Sequence, residues 1–423
     1  MRTIATVQRI LEVKDIAGKD LIGLATFHDI GYRVIVAKNE CKADDLVVYF
    51  ETDALLPDLP IYEFLRKRCF NEKFQRHRIK TMKLKDSDGT PVWSEGLVIP
   101  LTTILPVLKQ KSSYEVGDDL TEVLDIKEYG AETEKQDGEL TAKANPPKSW
   151  ILRKLMRFRW FRENFAWIFK INIKNKLVTS SWTQVIPVGK TDETRVQNLN
   201  YLFKENSPLI GKTLVSTVKM HGSSLTLSYD ATAKKNKLVV ASRNNAFLSM
   251  NVFNAWTDVV RKLKWNEIIV NYAKAKKIHK IVLQGEMLGP KHLGNQYKLK
   301  EDTILWFNCW MERAGEKRGR YLTYNELAEL LLDMSPILPK HDFWNGYCPV
   351  WKHSEIQFDP EVHTLEWFEN ESVGEDFDIK YPREGLVWRC ADKDTLQTPH
   401  MGMANQFSFK AINREWSLKN GGN

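Results

Sequence analysis

The chain has 423 residues, 43% hydrophobic and 27% charged. It therefore reads as an ordinary globular protein of two or three domains, able to bury a full core without disulfides or metals. A formal net charge of +8 suits polyanionic partners: nucleic acid, a nucleotide or an acidic membrane surface. Cys41, Cys69, Cys309, Cys348 and Cys390 are odd in number and show no C-x-x-C spacing. This argues against a zinc site or a disulfide framework and for an intracellular, reducing compartment, cytoplasmic or nuclear. Met1-Arg2-Thr3-Ile4 opens directly into strand-like sequence, so no signal peptide is expected. No apolar run approaches the roughly 20 residues that span a bilayer, so no transmembrane segment is expected.

In chain order, the first hundred residues predict short strands at Thr3–Ile10, Leu21–Phe27, Tyr32–Ala37, Leu46–Phe50 and Gly96–Pro100, separated by Gly, Asp, Asn or Pro. That spacing suits a small β-barrel, OB-like or SH3-like. Tyr62–Phe74 reads as helix. From Glu128 to Lys148 the apolar pattern stops and a linker ending at Pro146-Pro147 is predicted. Trp150–Lys176 mixes Arg153, Lys154, Arg157, Arg159 and Arg162 with Trp, Phe, Leu and Ile, and predicts a basic amphipathic helix.

The remainder predicts α+β structure. Its strand-like runs are Leu214–Met220, Ser224–Tyr229, Leu238–Ser242, Ile281–Glu286, Thr303–Trp310, Gly385–Cys390 and Gln406–Ala411. One helix is predicted over much of Asn251–Lys277. Another begins at Thr323, where Thr323 and Glu326 have capping-box spacing ahead of Leu327, Leu330, Leu331 and Met334.

Lys219-Met220-His221-Gly222 follows one predicted strand and precedes another. A lysine at such a turn can face a cleft, and Gly222 lets backbone approach a nucleotide. Lysine attacks phosphorus only as the free amine, so nearby cations and partial burial are expected to lower its pKa. Downstream come Ser242-Arg243, Glu286, Phe307, Glu384-Gly385 and Lys410. Adenylyl transfer needs these types: a cation for the α-phosphate (Lys410), a carboxylate for ribose hydroxyls (Glu286), an aromatic face for adenine (Phe307) and a carboxylate near a metal (Glu384).

In type and order this series resembles the motifs of covalent nucleotidyltransferases: Lys219–Gly222 (I), Ser242-Arg243 (Ia), Glu286 (III), Phe307 (IIIa), Glu384-Gly385 (IV) and Lys410 (V). Lys-x-His-Gly looks like the T4 RNA ligase 2 branch. Lys190–Asn198, Asp45–Glu51, Leu55-Leu56-Pro57 and Lys80–Leu84 are similar to segments of Naegleria-type RNA ligases, which carry an OB domain in front of the nucleotidyltransferase domain. The absence of a fitting OB domain after Lys410 favours RNA ligase over DNA ligases and capping enzymes.

The resemblance implies an OB-like domain over residues 1–127, a linker and basic segment over 128–179, and an antiparallel-sheet nucleotidyltransferase domain over 180–423. It implies an ATP-dependent RNA ligase, monomeric, acting on nucleic-acid ends in RNA repair. Lys219 would be the catalytic residue. His221, Gly222, Arg243, Glu286, Phe307, Glu384 and Lys410 would contact the nucleotide, and Glu286 and Glu384 a Mg²⁺ or Mn²⁺ ion. The alternatives are a DNA ligase, a capping-type guanylyltransferase or a non-catalytic nucleic-acid-binding protein. Two departures stand out: Ser408 occupies the place of a first lysine in motif V, and His221 that of an Asp. The front domain is expected to serve substrate engagement rather than adenylylation.

Overall fold

The computed structural model describes residues 3–108, 113–130, 150–155, 178–179, 185–191, 193–250, 252, 254–290, 295–316, 318–334, 351–375, 381–391 and 407–420. Of the predicted basic helix, Trp150–Leu155 is helical. The rest of that segment, and most of the predicted linker, lie outside the described residues.

The front domain is built on β1 (Ala5–Ile16), β2 (Lys19–Phe27), β3 (Val34–Ala37), β4 (Leu46–Phe50) and β5 (Ala54–Pro57). They are followed by β6 (Phe70–Asn71), β7 (Arg76–Arg78), β8 (Thr81–Lys85), β9 (Pro91–Glu95), β10 (Leu97–Pro100) and β11 (Lys127–Glu128). The larger sheet runs β10-β4-β1-β2-β3, and a smaller one β11-β5-β7-β6. β1 pairs with β4 through Ala5–Arg9, then with β2 from Ile10, with a register shift between Ile10 and Glu12. A bulge of this kind bends one long strand so that it serves two neighbours. β4 buries both faces: Val48 and Phe50 join one apolar cluster, Val47 and Tyr49 the other. Alternation with period two makes this possible. The predicted barrel strands are thus present. The predicted helix Tyr62–Phe74 is not a single helix. Pro60–Leu65 is 3₁₀ and Arg66–Cys69 is one short turn. Phe70 then pairs with His77 across a hairpin whose turn is held by the Asn71 side chain accepting from the N–H of Lys73, at 3.1 Å.

The second domain contains β12 (Val178–Thr179), β13 (Thr194–Arg195), β14 (Thr213–Val218), β15 (Ser223–Asp230), β16 (Leu238–Ala241) and β17 (Ala246–Phe247). It continues with β18 (Ile278–Leu288), β19 (Thr303–Arg313), β20 (Arg320–Tyr321), β21 (Lys352–Gln357), β22 (Gly385–Cys390) and β23 (Ser408–Ile412). They form two sheets, β12-β17-β16-β15-β18-β19-β20 and β13-β23-β22-β14-β21. Trp265, Trp306, Trp388, Phe368 and Phe409 fill the largest core cluster. Consecutive strands β14 and β15 belong to different sheets, so Lys219–Gly222 is the crossover between them. This fact positions the site.

The helix Tyr324–Met334 has the predicted start. Thr323 N–H donates to Glu326 Oε2 at 2.9 Å and Glu326 N–H to Thr323 Oγ1 at 3.3 Å. The single helix predicted over Asn251–Lys277 is two, Ala255–Lys262 and Trp265–Ala275. Lys264 between them has φ 58°, left-handed backbone that an α-helix cannot continue through.

The two domains meet through buried charge. Glu369 accepts from Arg33 at 2.7 Å and forms an ion pair with Arg414 at 2.5 Å, and Arg414 also donates to Glu95 at 2.8 Å. Gln197 donates to the same Glu369 at 3.1 Å, and Asn198 donates to Glu51 at 2.6 Å. The Glu369 and Glu95 side chains are only 3% and 4% exposed. Removing one partner from such a network strands a buried charge, at a cost of about 3–5 kcal/mol. Arg414→Ala should lower stability by about that amount, read as a fall in the urea midpoint. An unchanged midpoint would show that the network does not hold the domains together.

Candidate active site

Lys219 leaves the end of β14, and its N–H donates to the Gly385 carbonyl at 3.0 Å. The start of β22 is thereby fixed beside it. Its Nζ contacts Glu384 Oε1, while His221 Nδ1 lies 3.5 Å from Glu384 Oε2. Gly222 N–H donates to Glu286 Oε1 at 3.0 Å, and Tyr297 OH accepts from His221 N–H at 2.9 Å. A Cβ at Gly222 would run into the Met287 carbonyl oxygen and the Leu288 side chain. The crossover can therefore lie flat on β18 only because that residue is glycine.

Phe307 reaches the cleft by a different device. In the β18–β19 pairing, Gln284 faces Asn308 and Gly285 faces Trp306, leaving Phe307 as the extra residue. A bulge re-aims one side chain. Trp306 goes fully into the core, and Phe307, half-buried, lines the cleft. Lys410 on β23 sits opposite Val387 on β22, and Ser408 opposite Arg389. Val387, Arg389 and Lys410 all line the cleft.

All the residues singled out from the sequence line one cleft of about 540 Å³: Lys219, His221, Gly222, Arg243, Glu286, Phe307, Glu384 and Lys410. Arg243 stands at its edge, 3.4 Å from Glu128. Other lining residues carried no signal in the motif pattern. Arg389 is buried, donates to Thr217 at 3.0 Å and to Glu193 at 3.1 Å, and lies over the Phe307 ring. It provides a fixed cation beside the position where Ser408 stands in place of lysine. Its parity with Val387 along β22 is the signal that would have found it. Trp416 packs edge-on to His221 with ring centroids 5.0 Å apart.

The front domain supplies a wall as well: Asp53, Lys73, Arg78 and Lys80 line the same cleft, and so does Tyr129, just past that domain's border. Arg78 is held by Asp53 at 2.8 Å and lies over the Tyr129 ring at 3.5 Å. The front domain, expected to serve substrate engagement, thus also borders the cleft that holds Lys219.

The electrostatics correct one expectation. Burial alone would lower the Lys219 pKa, but Glu384, Glu286 and Glu193 more than reverse this, and the amine is held above its ordinary value. Burial alone would raise the Glu384 carboxyl, but Lys219 and His221 overturn that and hold it at about 2. Glu384 thus contributes stability that is present above the ordinary carboxylate range and lost only as pH falls toward about 2. The contribution of Lys219 is full below the ordinary lysine value and is lost as pH rises past its raised one. Without ligands, the nucleophile is stored as an ammonium. Glu384→Gln should therefore make Lys219 more reactive toward an amine-selective reagent at neutral pH, read by peptide mass mapping. Unchanged reactivity would show that Glu384 does not hold the proton.

Residues 212–412 match the family model for RNA ligase, and residues 4–101 that of an OB-fold domain. No curated protein matches the chain by sequence. Among solved structures, the chain is similar to Naegleria gruberi RNA ligase with pyrophosphate, at TM-score 0.69 and 24% identity over 100% of both chains. It is equally similar to a mutant of that enzyme with ATP and Mn, at TM-score 0.69 and 24% identity over 100% of both chains. A second mutant with ATP and Mn matches at 25% identity and TM-score 0.69, over 100% of this chain and 99% of the other. Residues 212–412 thus resemble the RNA ligase family, and they lie behind a segment that resembles an OB-fold domain.

Proposed function

We propose that this protein is an ATP-dependent RNA ligase that joins a 3′-hydroxyl to a 5′-phosphate through AMP carried on Lys219. The observation that carries the reading is the convergence on the Lys219 amine of Glu384, Glu286, Lys410, Arg389 and Phe307 from strands of two sheets. In the first step Lys219 Nζ bonds the α-phosphorus of ATP, the bond to the β-phosphate oxygen breaks, and pyrophosphate leaves. In the second a 5′-phosphate oxygen takes the AMP and Lys219 leaves as the amine. In the third a 3′-hydroxyl attacks the 5′-phosphorus and AMP leaves.

Each residue has a role that suits its place. Phe307, turned out by the bulge, offers a face for adenine. Glu286 and Arg243 border the ribose. Lys410, with Arg389 on the next strand, offsets phosphate charge in a partly buried cleft, where it counts for more than in water. The front-domain cations Lys73, Arg78 and Lys80 face the polyphosphate and hold the leaving pyrophosphate in line with Lys219.

Among the described residues no cluster of three or more His, Cys, Asp and Glu forms a closed metal cage. Glu384 and Glu286 offer the one or two carboxylates that Mg²⁺ or Mn²⁺ takes when phosphate oxygens and water complete its shell. Bound there, the ion would neutralise phosphate charge and weaken the carboxylates' hold on the Lys219 proton. The structures of the Naegleria enzyme with ATP and Mn support both ligands.

The domain borders we propose are 1–127, 128–179 and 180–423. β11 pairs into the front domain and β12 into the second, which supports a crossing between the domains in the stretch that separates them. The protein acts as a monomer, since residues of one chain complete the cleft. Among the described residues no helix is long and apolar enough to cross a membrane. Among the described residues Cys41, Cys69 and Cys309 are free cysteines, which supports a reducing compartment, and RNA repair is the role that sealing of such ends suits. The test is labelling with ATP against GTP, then sealing of matched RNA, DNA and mixed nicks. Labelling by ATP and sealing where RNA flanks the nick are expected. Labelling by GTP alone would make the protein a capping-type enzyme.

A further inference from the structure

Three cations on one flank of the second domain are paired where they stand. Lys262 pairs with Glu301 at 3.7 Å, Lys276 with Asp333 at 2.7 Å and Lys280 with Glu312 at 3.4 Å. The front domain differs at the short helix Arg66–Cys69. Arg66 is taken up by Asp58 and Glu63. Lys67 and Arg68 are exposed and have no carboxylate partner among the described residues. Phe64, just before them, is 65% exposed, an aromatic left in water with no packing reason.

This patch is continuous with the cleft. The Arg66–Cys69 turn runs directly into β6, which pairs with β7, and Lys73 in the turn of that hairpin and Arg78 on β7 both line the cleft. Lys80 also lines the cleft that holds Lys219, whereas Phe64, Lys67 and Arg68 lie outside it. A path of positive charge therefore leaves the cleft at Lys80 and crosses the front domain through Arg68 and Lys67 to Phe64. A nucleotide confined to the cleft cannot use its outer part.

Displacement at phosphorus is in line. Lys219 is the attacking group in the first step and the leaving group in the second. The incoming 5′-phosphate must therefore occupy the side of the α-phosphorus that pyrophosphate vacates, the side served by the front-domain cations. The strand attached to that phosphate then has to leave the cleft over the front domain. We infer that the surface from Lys80 through Arg68 and Lys67 to Phe64 is the track for the RNA strand that carries the 5′-phosphate, with Phe64 as a platform for one of its bases. Backbone phosphates meet Arg68 and Lys67, releasing counterions, and a base stacks on Phe64.

This rests on the ligase reading, and the test separates the two. Full-length enzyme is charged with ATP, moved into EDTA, and titrated with a 5′-phosphorylated nicked RNA duplex over a range of salt. The variants are Lys67→Ala/Arg68→Ala and Phe64→Ala, both outside the cleft. Both should form lysyl-AMP at the wild-type rate, which also reports that they fold. The double variant should bind roughly tenfold more weakly, with a log–log salt slope shallower by about 1.5 to 2, from two lost phosphate contacts. Phe64→Ala should weaken binding by about tenfold without changing the slope. Wild-type affinity and slope in both variants would overturn the track, even with lysyl-AMP formation intact. A wild-type enzyme that forms no lysyl-AMP would instead overturn the ligase reading.

Discussion

Lys219→Ala should form no covalent AMP and seal no 5′-phosphorylated nick, while still closing a nick whose 5′ end is supplied already adenylylated. The geometry separates these outcomes. The amine is consumed only in the first step and released in the second; the third needs the 3′-hydroxyl, the adenylate and the cleft's charges. Lys219 sits at a crossover whose backbone is fixed independently, by its own N–H to Gly385 and by Gly222 to Glu286. Truncation at Cβ should leave that frame standing. Loss of a covalent nucleophile cannot be made up by its neighbours, so the expected fall is at least several orders of magnitude, of the size seen when catalytic nucleophiles are removed, about 10⁶-fold. Denaturing gels with labelled ATP read the first step, and the pre-adenylylated nick reads the third. Equal loss of both would mean that the substitution had damaged the cleft rather than the nucleophile.

A chain starting near Ser180 should lose lysyl-AMP formation by about a hundredfold or more, the usual effect of removing preorganised charge from a transition state. Without the front domain and the residues just after it the cleft loses Asp53, Arg78, Lys80 and Tyr129 as one wall. The truncation also removes Arg33 and Glu95, so Glu369 and Arg414 lose partners at a surface newly opened to water. Arg414 begins the helix Arg414–Asn420, whose Trp416 packs on His221. The damage therefore reaches the nucleophile's own segment as well as the pyrophosphate side. Labelling rates from saturating ATP, compared with full-length protein, check this. Undiminished labelling by the second domain alone would restrict the front domain to holding nucleic acid.

Strands were the legible part of this chain because period-two patterns bounded by turn residues depend on local chemistry alone. β22 begins and ends as the pattern indicated, and Lys219 stands just beyond β14 as its turn required. The helix over Asn251–Lys277 was misjudged at one residue, since nothing in the Lys264 side chain announces a positive φ. The motif residues converge as their order suggested. The charge around Lys219 was not legible: cations were expected, and folding brings Glu193, Glu286 and Glu384 to it from separate segments. Arg389 was hidden for a related reason. A lone arginine within the apolar run Gly385–Cys390 looks like strand interior until the register sets it beside Ser408 and over Phe307. The front-domain wall is tertiary in origin, since no local pattern at Arg78 or Lys80 refers to a lysine more than a hundred residues away.

The central claim is that Lys219 carries AMP. Its most direct test is to incubate full-length protein with ATP and Mn²⁺, digest it under conditions that keep phosphoramidates intact, and locate the adduct by tandem mass spectrometry. Of the cleft lysines, Lys219 lies among the carboxylates suited to a metal, Lys410 lies on β23, with β22 between it and β14, and Lys73 and Lys80 lie on the opposite domain. The account predicts one AMP per chain, on the peptide containing Lys219, removed by added pyrophosphate as ATP re-forms. An adduct on Lys410, Lys80 or Lys73, or no adduct in protein that seals RNA with ATP, would contradict it.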